Sequence, residues 1–284
     1  MKDSNNKKLA QKAIEDLNKE SYSKLENVIE PILLKKIIDF FECYRFKNNI
    51  NNSLDKDPNA SKFHGDSTVI NNLHSLDILF WELISNPIIT SICENILSKY
   101  SYKNSEGYVL IGSSIRALYN PRPAQQLHID SNLPGNNHIL SIQFCIPLDN
   151  FNQKNGATQI VRGSNLIKDY PPNNNELSQK NKEKLLILDA KPGDLIIFNT
   201  GIWHGSSAKL NKERRAAVFL NFGRWFIKPT FDIPNNMTDK IYKSLTTNQK
   251  KIAGCFCQPP FSEKDGRGRK SLNPIRRKYI EELF

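Results

Sequence analysis

Two short segments of this chain carry residues that can bind a metal ion. His128 and Asp130 are separated by one residue, and His204 follows 74 residues after Asp130. Side chains alternate with period two along an extended strand, so a His-x-Asp pair projects both side chains from the same face. Two imidazoles and one carboxylate form a facial ligand set for a non-haem Fe(II) ion, or for Mn(II) or Zn(II). Such a set leaves coordination positions open for further ligands.

A basic residue lies close to the second histidine in sequence. Arg215 follows His204 by 11 residues, with a predicted turn at Leu210–Glu213 between them. The chain can therefore run out from His204 and return beside it as a hairpin. This return would bring the Arg215 guanidinium, a planar fork that binds carboxylates, into the same cavity. Arg214 should then face the opposite way; the alternative is that both arginines form a basic surface pair.

A structural role for the histidines is the alternative to metal binding. His128 could be a buried, hydrogen-bonded residue, and His204 could lie in a turn. The other three histidines have no comparable sequence context, and His138 is expected to be exposed in a loop; these three are His64, His74 and His138.

The composition is that of an ordinary globular protein. The chain has 284 residues, of which 38% are hydrophobic and 24% are charged, enough for one sizeable core. Its five cysteines are scattered and odd in number, so they predict no disulfide framework and favour a cytoplasmic location. The N-terminal residues lack the apolar stretch of a signal peptide, and no run is long enough to span a membrane.

The net charge of +11 raises the question of a nucleic-acid partner. Much of the excess lies near the two ends of the chain, in a Lys-rich N-terminal arm and a tail from Lys264 to Lys278. No nucleic-acid-binding motif accompanies it. A solvated surface is the favoured interpretation, and we expect a small-molecule partner; the sequence leaves the oligomeric state open.

The predicted elements divide into helical ends and a strand-rich middle. Helical patterns cover 7–48, broken by a short strand at Ser21–Ile29, then 71–102 with an interruption near Pro87, and finally 238–251 and 272–283. Residues 49–68 and 168–184 are predicted as loops, the second with a short helix. Short strand-like runs occur at Val109–Ala117, Leu127–Ile129, Leu140–Pro147, Ala157–Val161, Leu185–Leu188, Asp194–Phe198 and Ala216–Phe222.

This spacing of strands indicates a mainly β sandwich or barrel with flanking helices. We expect one domain over 1–284. It would have a helical N-terminal part at 1–104, a β core at about 105–230 and a helical tail at 231–284.

Several segments together resemble the phytanoyl-CoA dioxygenase family of Fe(II)- and 2-oxoglutarate-dependent oxygenases. Their order and spacing carry the resemblance; the segments are Gln125–Asp130, Asn155–Ser164, Pro192–Phe198, Ile202–Ser206 and Arg214–Ala216. One departure is Arg162-Gly163-Ser164-Asn165, where the family commonly has Pro-Gly-Ser-His.

The resemblance implies a double-stranded β-helix, or jelly-roll, core. It also implies that His128, Asp130 and His204 hold Fe(II) and that Arg215 binds the distal carboxylate of 2-oxoglutarate. Thr158 and Gln125 match positions that help to hold this co-substrate through hydroxyl and amide groups. Their alternatives are an ordinary strand residue and a solvent-facing amide.

The implied reaction is the hydroxylation of an unactivated C–H bond, with O2 consumed and succinate and CO2 formed. The same chemistry could instead give desaturation, ring formation or another oxidation. A nucleic-acid substrate or a non-catalytic jelly-roll binding protein are further alternatives. The sequence does not identify the substrate; candidate pocket residues on strands near the ligands are Arg116, Tyr119, Gln143, Arg224 and Trp225.

Overall fold

The computed structural model describes residues 2–48, 67–99, 107–135 and 138–257. The helices are α1 Lys2–Glu20, α2 Pro31–Lys47, α3 Leu73–Leu76, α4 Leu79–Ile84, α5 Pro87–Leu97, α6 Gln179–Lys182, α7 Ile233–Asn236, α8 Asp239–Ser244 and α9 Thr247–Ile252. Two 3₁₀ turns cover Ser164–Leu166 and Asn174–Glu176. The strands are β1 Tyr22–Leu25, β2 Ser67–Asn71, β3 Tyr108–Leu118, β4 Ser141–Pro147, β5 Thr158–Val161, β6 Leu185–Ile187, β7 Leu195–Asn199, β8 His204–Ser206 and β9 Arg215–Arg224.

The strands form two antiparallel sheets. The larger has six strands in the order β1-β7-β4-β9-β3-β2, and the smaller has three in the order β6-β5-β8. Isolated bridges extend the smaller sheet with irregular segments, including one between His128 and His204. Two antiparallel sheets with helices outside them agree with the predicted mainly β core and flanking helices.

The two faces of the larger sheet pack against different layers. On β9, alternate residues from Ala216 to Phe222 lie in the large core shared with helices α1 to α5. The residues between them face the smaller sheet, where Ala217 packs in a second core with Phe151 and Ile160. The period-two alternation thus places Arg215 and Phe219 in the space between the sheets.

A turn before β7 connects the core to the N-terminal region. Gly193 has a φ of 89°, which favours glycine, and its carbonyl accepts hydrogen bonds from the backbone of Val28 and Ile29. The buried Asp194 carboxylate accepts from the backbone N–H groups of Asn27 and Lys191, at 3.0 and 2.9 Å. These bonds fix the end of β1 beside β7, its partner in the sheet.

The sequence predicted most strands of the β core within one or two residues, but β2, the short strand β8 and the segment Leu127–Ile129 differ from the prediction. Residues 67–68, assigned to a loop, begin the edge strand β2, which was missed because it is short and follows a polar stretch. Leu127–Ile129 forms only an isolated bridge rather than a ladder. The predicted interruption near Pro87 is confirmed, since α4 ends at Ile84 and Pro87 begins α5, where its missing N–H costs nothing.

Some predictions fall outside the described residues. These are most of the loop at 49–68 and the helix at 272–283. Among the described residues, none of the helices has the length and apolar character needed to cross a membrane. The five cysteines, all within the described residues, form no disulfide bond, and Cys255 is fully buried.

Candidate functional site

The backbone places the two histidines of the predicted ligand set directly opposite each other. His128 and His204 form an antiparallel bridge in which each backbone N–H donates to the other's carbonyl at 2.9 Å. Side chains of an opposed pair point to the same face, so both imidazoles enter one space. Their ring centroids lie 4.3 Å apart.

A matching hydrogen bond orients each imidazole. Nδ1 of His128 lies 3.1 Å from the carbonyl oxygen of Gln126, and Nδ1 of His204 lies 2.9 Å from that of Ile202. A proton on Nδ1 donates to these carbonyls, which leaves the Nε2 lone pair of each ring for a metal ion. The local sequence provides this support, because in both cases the acceptor lies two residues before the histidine.

Asp130 completes a cluster of three possible ligands. Its backbone N–H donates to Thr200 O at 2.9 Å, and its carboxylate lies 3.6 Å from Nε2 of His128 and 3.4 Å from Nε2 of His204. The three ligand atoms all lie within 4.8 Å of one another. Adjacent ligands on an octahedral ion with bonds of about 2.1 Å are about 3 Å apart, so small side-chain shifts would suffice to hold one. The donor set therefore fits a divalent metal of the Fe(II) class.

The charges of these groups suit metal binding near neutral pH. Burial, reinforced by the neighbouring His204, lowers the pKa of His128 to about 4, so its imidazole is neutral. Burial acts to raise the pKa of Asp130, but the imidazoles of His204 and His128 and the cation of Arg116 outweigh it. The net result is a pKa below the usual range of a carboxyl. The site thus offers the neutral imidazole of His128 and the carboxylate of Asp130 to a metal ion, beside the imidazole of His204.

Arg215 lies in the same cavity as an almost completely buried cation. It is 5% exposed, and its guanidinium lies over the Phe151 ring at 3.9 Å and donates to Thr158 Oγ1 at 3.3 Å. Its Nε has no hydrogen-bond partner, and no carboxylate of the described residues pairs with it. Burial lowers its pKa to about 10, so it stays charged at neutral pH. A buried, unpaired guanidinium favours an anionic ligand strongly.

Arg214 turns away from the cavity, as the alternation predicts. It forms a bidentate pair with Asp149 at 2.8 and 2.7 Å and also pairs with Glu42. The two adjacent arginines therefore have separate surroundings, one structural and one facing the cavity.

The cavity has a volume of about 800 Å³, including space open to solvent. Its lining includes the three possible metal ligands and five further residues from the sequence prediction: Arg116, Gln125, Gln143, Thr158 and Arg215. The Gln125 amide oxygen accepts from the backbone N–H of Ser206 at 3.3 Å, which leaves its NH2 group for a ligand.

Three other candidate residues lie outside the cavity. Arg224 donates to the carbonyls of Ile96, Leu97 and Lys99 at the end of α5, a common role for arginine near a helix C-terminus. Tyr119 is buried beside the Arg45 guanidinium, and Trp225 packs edge-to-face on Phe226; neither ring lines the cavity. Arg224 and Trp225 lie at the end of β9 far from Arg215, and Tyr119 packs in the core beside the helices. Closeness in sequence to the strands of the site therefore did not bring these side chains into the cavity.

The remaining histidines take no part in this cluster. His74 is fully buried, and both ring nitrogens are used, with Ser113 Oγ and Asn236 Oδ1 each at 2.8 Å. Burial lowers its pKa to about 4, which keeps it neutral. His138 is exposed, as predicted, and His64 lies outside the described residues.

Several residues around the site were not among those predicted from the sequence. Phe151 lies beneath Arg215, Phe198 lies 4.7 Å from the His204 ring, and Arg122 lines the cavity beside its backbone bridge to Lys209. Only long-range pairing brings these residues to the site. No local spacing in the sequence pointed to them.

Asn174, in the polar insertion at 168–184, holds the free edge of the segment that bears His128. Its side chain accepts from Leu127 N at 2.9 Å and donates to Gln125 O at 3.0 Å. Its backbone N–H donates to the side chain of Gln126 at 3.1 Å. The backbone of this segment is thus hydrogen-bonded to His204 on one edge and to Asn174 on the other, where a neighbouring strand would otherwise lie.

We expect Asn174→Ala to weaken divalent-metal affinity about tenfold, because support around a metal ligand typically contributes 10- to 100-fold. Competition with a chromophoric chelator would measure this, alongside the melting temperature of the metal-free protein. Asn173→Ala is the matched control, since the Asn173 side chain bonds only to the exposed Glu176. Unchanged metal affinity in Asn174→Ala would show that this contact does not position the ligand segment.

Comparison with known proteins identifies the family. The model of the family described as phytanoyl-CoA dioxygenase (PhyH) matches residues 18–217. The chain is 23% identical over 247 residues to an uncharacterized protein of Mycobacterium tuberculosis, covering 84% of this chain and 85% of that protein. It is 24% identical over 182 residues to a multifunctional dioxygenase of Penicillium brasilianum, covering 61% and 60%.

A solved structure shows the same fold. The epimerase SnoN, in complex with Fe3+, alpha ketoglutarate and nogalamycin RO, superposes with a TM-score of 0.57 at 13% identity, covering 75% of this chain and 83% of that one. The family match spans both the ligand segments and Arg215. The chain belongs to the phytanoyl-CoA dioxygenase family of Fe(II)- and 2-oxoglutarate-dependent oxygenases.

Proposed function

We propose that the protein hydroxylates an unactivated C–H bond of a small-molecule metabolite, using Fe(II), 2-oxoglutarate and O2. The observation that carries this proposal is the convergence of His128, Asp130 and His204 in one cavity with the buried cation of Arg215. Family membership supports the dioxygenase class. Hydroxylation and the identity of the substrate are the steps that need experiment.

The two imidazoles and the carboxylate hold the metal ion in this proposal. Bound there, Fe(II) supplies the oxidative chemistry, in which O2 and 2-oxoglutarate yield succinate, CO2 and one oxygen atom inserted into the substrate C–H bond. Asp130 leaves one negative charge beside the metal. The Nδ1 hydrogen bonds of both histidines hold the rings in the orientation that keeps Nε2 directed at the ion.

Arg215 anchors the distal carboxylate of 2-oxoglutarate. Its guanidinium lies deep between the sheets, where low solvent exposure strengthens a charge-assisted pair. Thr158 Oγ1 accepts from Arg215 and can donate its own proton to the same carboxylate. With one end anchored, the co-substrate can bind in only one direction, which places its other end at the metal.

The walls of the cavity orient the co-substrate and exclude water. The Gln125 NH2 group is free to donate to a carboxylate oxygen from the side of the cavity opposite the larger sheet. Phe198 packs beside the His204 ring, and Phe219 lines the same cavity next to the Arg116 guanidinium. These apolar rings limit the water that reaches the reacting atoms.

Turnover with a defined co-substrate tests the function. We expect Fe(II)-dependent formation of succinate from 2-oxoglutarate, slow alone and faster when a metabolite extract supplies a substrate. Mass spectrometry of the extract should show one metabolite gaining an oxygen atom. Loss of two hydrogens instead would indicate desaturation or ring formation. A preparation that binds metal but never consumes 2-oxoglutarate would favour a non-catalytic binding protein.

A further inference from the structure

A second cation in the cavity forms no ion pair with any carboxylate of the described residues. Arg116, on β3, lines the cavity and lies partly exposed, with its guanidinium 5.5 Å from the centre of the Phe219 ring. Its Nε is buried without a hydrogen-bond partner, and no carboxylate of the described residues forms an ion pair with it. Arg224, by contrast, is saturated by backbone carbonyls.

The register of the larger sheet separates Arg116 from Arg215. Arg215 lies opposite Leu118 on β3, whereas Arg116 lies opposite Ala217, one inward-facing position further along. On the same face, the next strand brings Gln143 opposite Asn221, whose Oδ1 is buried and also lacks a partner. The sheet therefore presents a polar wall beyond the arginine that anchors the co-substrate.

With the metal ion and 2-oxoglutarate bound, no negative charge in the site remains to neutralise Arg116. This charge balance rests on the proposed function. The carboxylate of Asp130 and the two carboxylates of 2-oxoglutarate together offset the divalent metal and the Arg215 cation. The positive charge of Arg116 then faces the cavity without a counter-charge, a cost that an anionic ligand would remove.

We propose that Arg116 is a carboxylate-binding residue for the substrate, supported by the amide of Gln143, which lines the same cavity. The substrate class is then a metabolite that carries a carboxylate near the carbon to be oxidised. A guanidinium fork suits a carboxylate because it offers two parallel N–H donors. Arg116 could instead bind the carboxylate of 2-oxoglutarate that lies at the metal. The experiment distinguishes this carboxylate from that of a substrate.

The experiment uses the full chain loaded with Ni(II), which does not support turnover. Binding of 2-oxoglutarate is measured first by calorimetry. Benzoate, phenylacetate and hexanoate are then compared with their uncharged amides by ligand-observed NMR, with and without 2-oxoglutarate. The proteins are the wild type, Arg116→Gln, Arg116→Lys, Arg215→Gln and, as a control, Arg162→Gln, whose side chain is exposed and outside the cavity lining.

We expect the wild type to prefer carboxylates over amides, and Arg116→Gln to weaken carboxylate binding roughly 10- to 100-fold, as for a lost hydrogen-bonded charge. Arg116→Lys should recover part of the preference, and Arg162→Gln should behave as the wild type. The 2-oxoglutarate affinity of Arg116→Gln should stay within a few-fold of the wild type.

Two results would overturn the inference. An equal loss of 2-oxoglutarate affinity in Arg116→Gln and Arg215→Gln would assign Arg116 to the co-substrate. Absence of any carboxylate preference in the wild type, with or without 2-oxoglutarate, would show that Arg116 does not select anions. Failure of 2-oxoglutarate to bind the wild type would instead contradict the proposed function, and the carboxylate preference would still be measured with metal alone.

Discussion

Replacing His204 by alanine is expected to abolish binding of one divalent metal ion per chain. His204 is 6% exposed and contributes the Nε2 atom that lies 3.4 Å from the Asp130 carboxylate. Loss of a group that only supports a ligand weakens metal binding about 10- to 100-fold, so loss of the ligand itself should weaken it by at least about 100-fold. Calorimetric titration with Fe(II) under anaerobic conditions measures this change.

His138→Ala is the matched control for this substitution. It removes the same side chain from an exposed position outside the cavity lining, so metal affinity should be unchanged. The melting temperature of metal-free His204→Ala is measured alongside, because the buried ring also contacts Asp130 and Phe198 and its removal is expected to lower stability. If His204→Ala still binds Fe(II) as tightly as the wild type, the metal does not lie between these three side chains.

Replacing Arg215 by alanine is expected to remove most of the affinity for 2-oxoglutarate and to leave metal affinity intact. Truncating one partner of a buried charge pair typically costs about 2–5 kcal/mol, or roughly 30- to 5,000-fold in the dissociation constant. The Arg215 guanidinium is buried, and its one hydrogen bond within the described residues goes to Thr158, so the ligand carboxylate is the partner that the substitution leaves unpaired. Calorimetry measures the Ni(II) affinity on metal-free protein and the 2-oxoglutarate affinity on Ni(II)-loaded protein.

Arg214 is the matched control for Arg215, because it is the same type of residue at the next position but lies outside the cavity. Arg214→Ala removes an ion pair with Asp149 and Glu42 outside the cavity, so it should lower thermal stability without changing the affinity for 2-oxoglutarate. Arg215→Lys should retain part of the affinity, since lysine keeps the charge but loses the fork. Equal 2-oxoglutarate affinities for Arg214→Ala and Arg215→Ala would place the co-substrate elsewhere.

Local sequence patterns predicted the parts of this site that depend on strand periodicity. His128 and Asp130 project into the same space because they are two residues apart, and Arg214 and Arg215 diverge because they are adjacent. The β-branched runs of the core predicted most strands, and the family motifs added the jelly-roll connectivity, which the comparisons confirm. The roles of the individual side chains stay predictions until ligands are tested.

Residues that depend on long-range packing could not be predicted in this way. Asn174 contacts the His128 segment only because the insertion folds back on it, and no local spacing encodes this return. Arg224 continues the face of β9, at every second residue from Ala216 to Phe222, that packs on the helices. Its guanidinium therefore meets the end of α5 instead of the cavity, and the sequence alone did not show which face of β9 the helices cover. Such contacts are properties of the assembled layers rather than of a local pattern.

The most direct measurement is an anaerobic absorption titration of the metal-free protein with Fe(II) and 2-oxoglutarate. Chelation of the iron by this co-substrate gives a weak visible charge-transfer band. We predict a band that saturates at one iron per chain, is lost in His204→Ala, and needs much higher 2-oxoglutarate concentrations in Arg215→Ala. A wild-type protein that binds Fe(II) but shows no band at saturating 2-oxoglutarate would contradict the assignment of this cavity to an oxygenase.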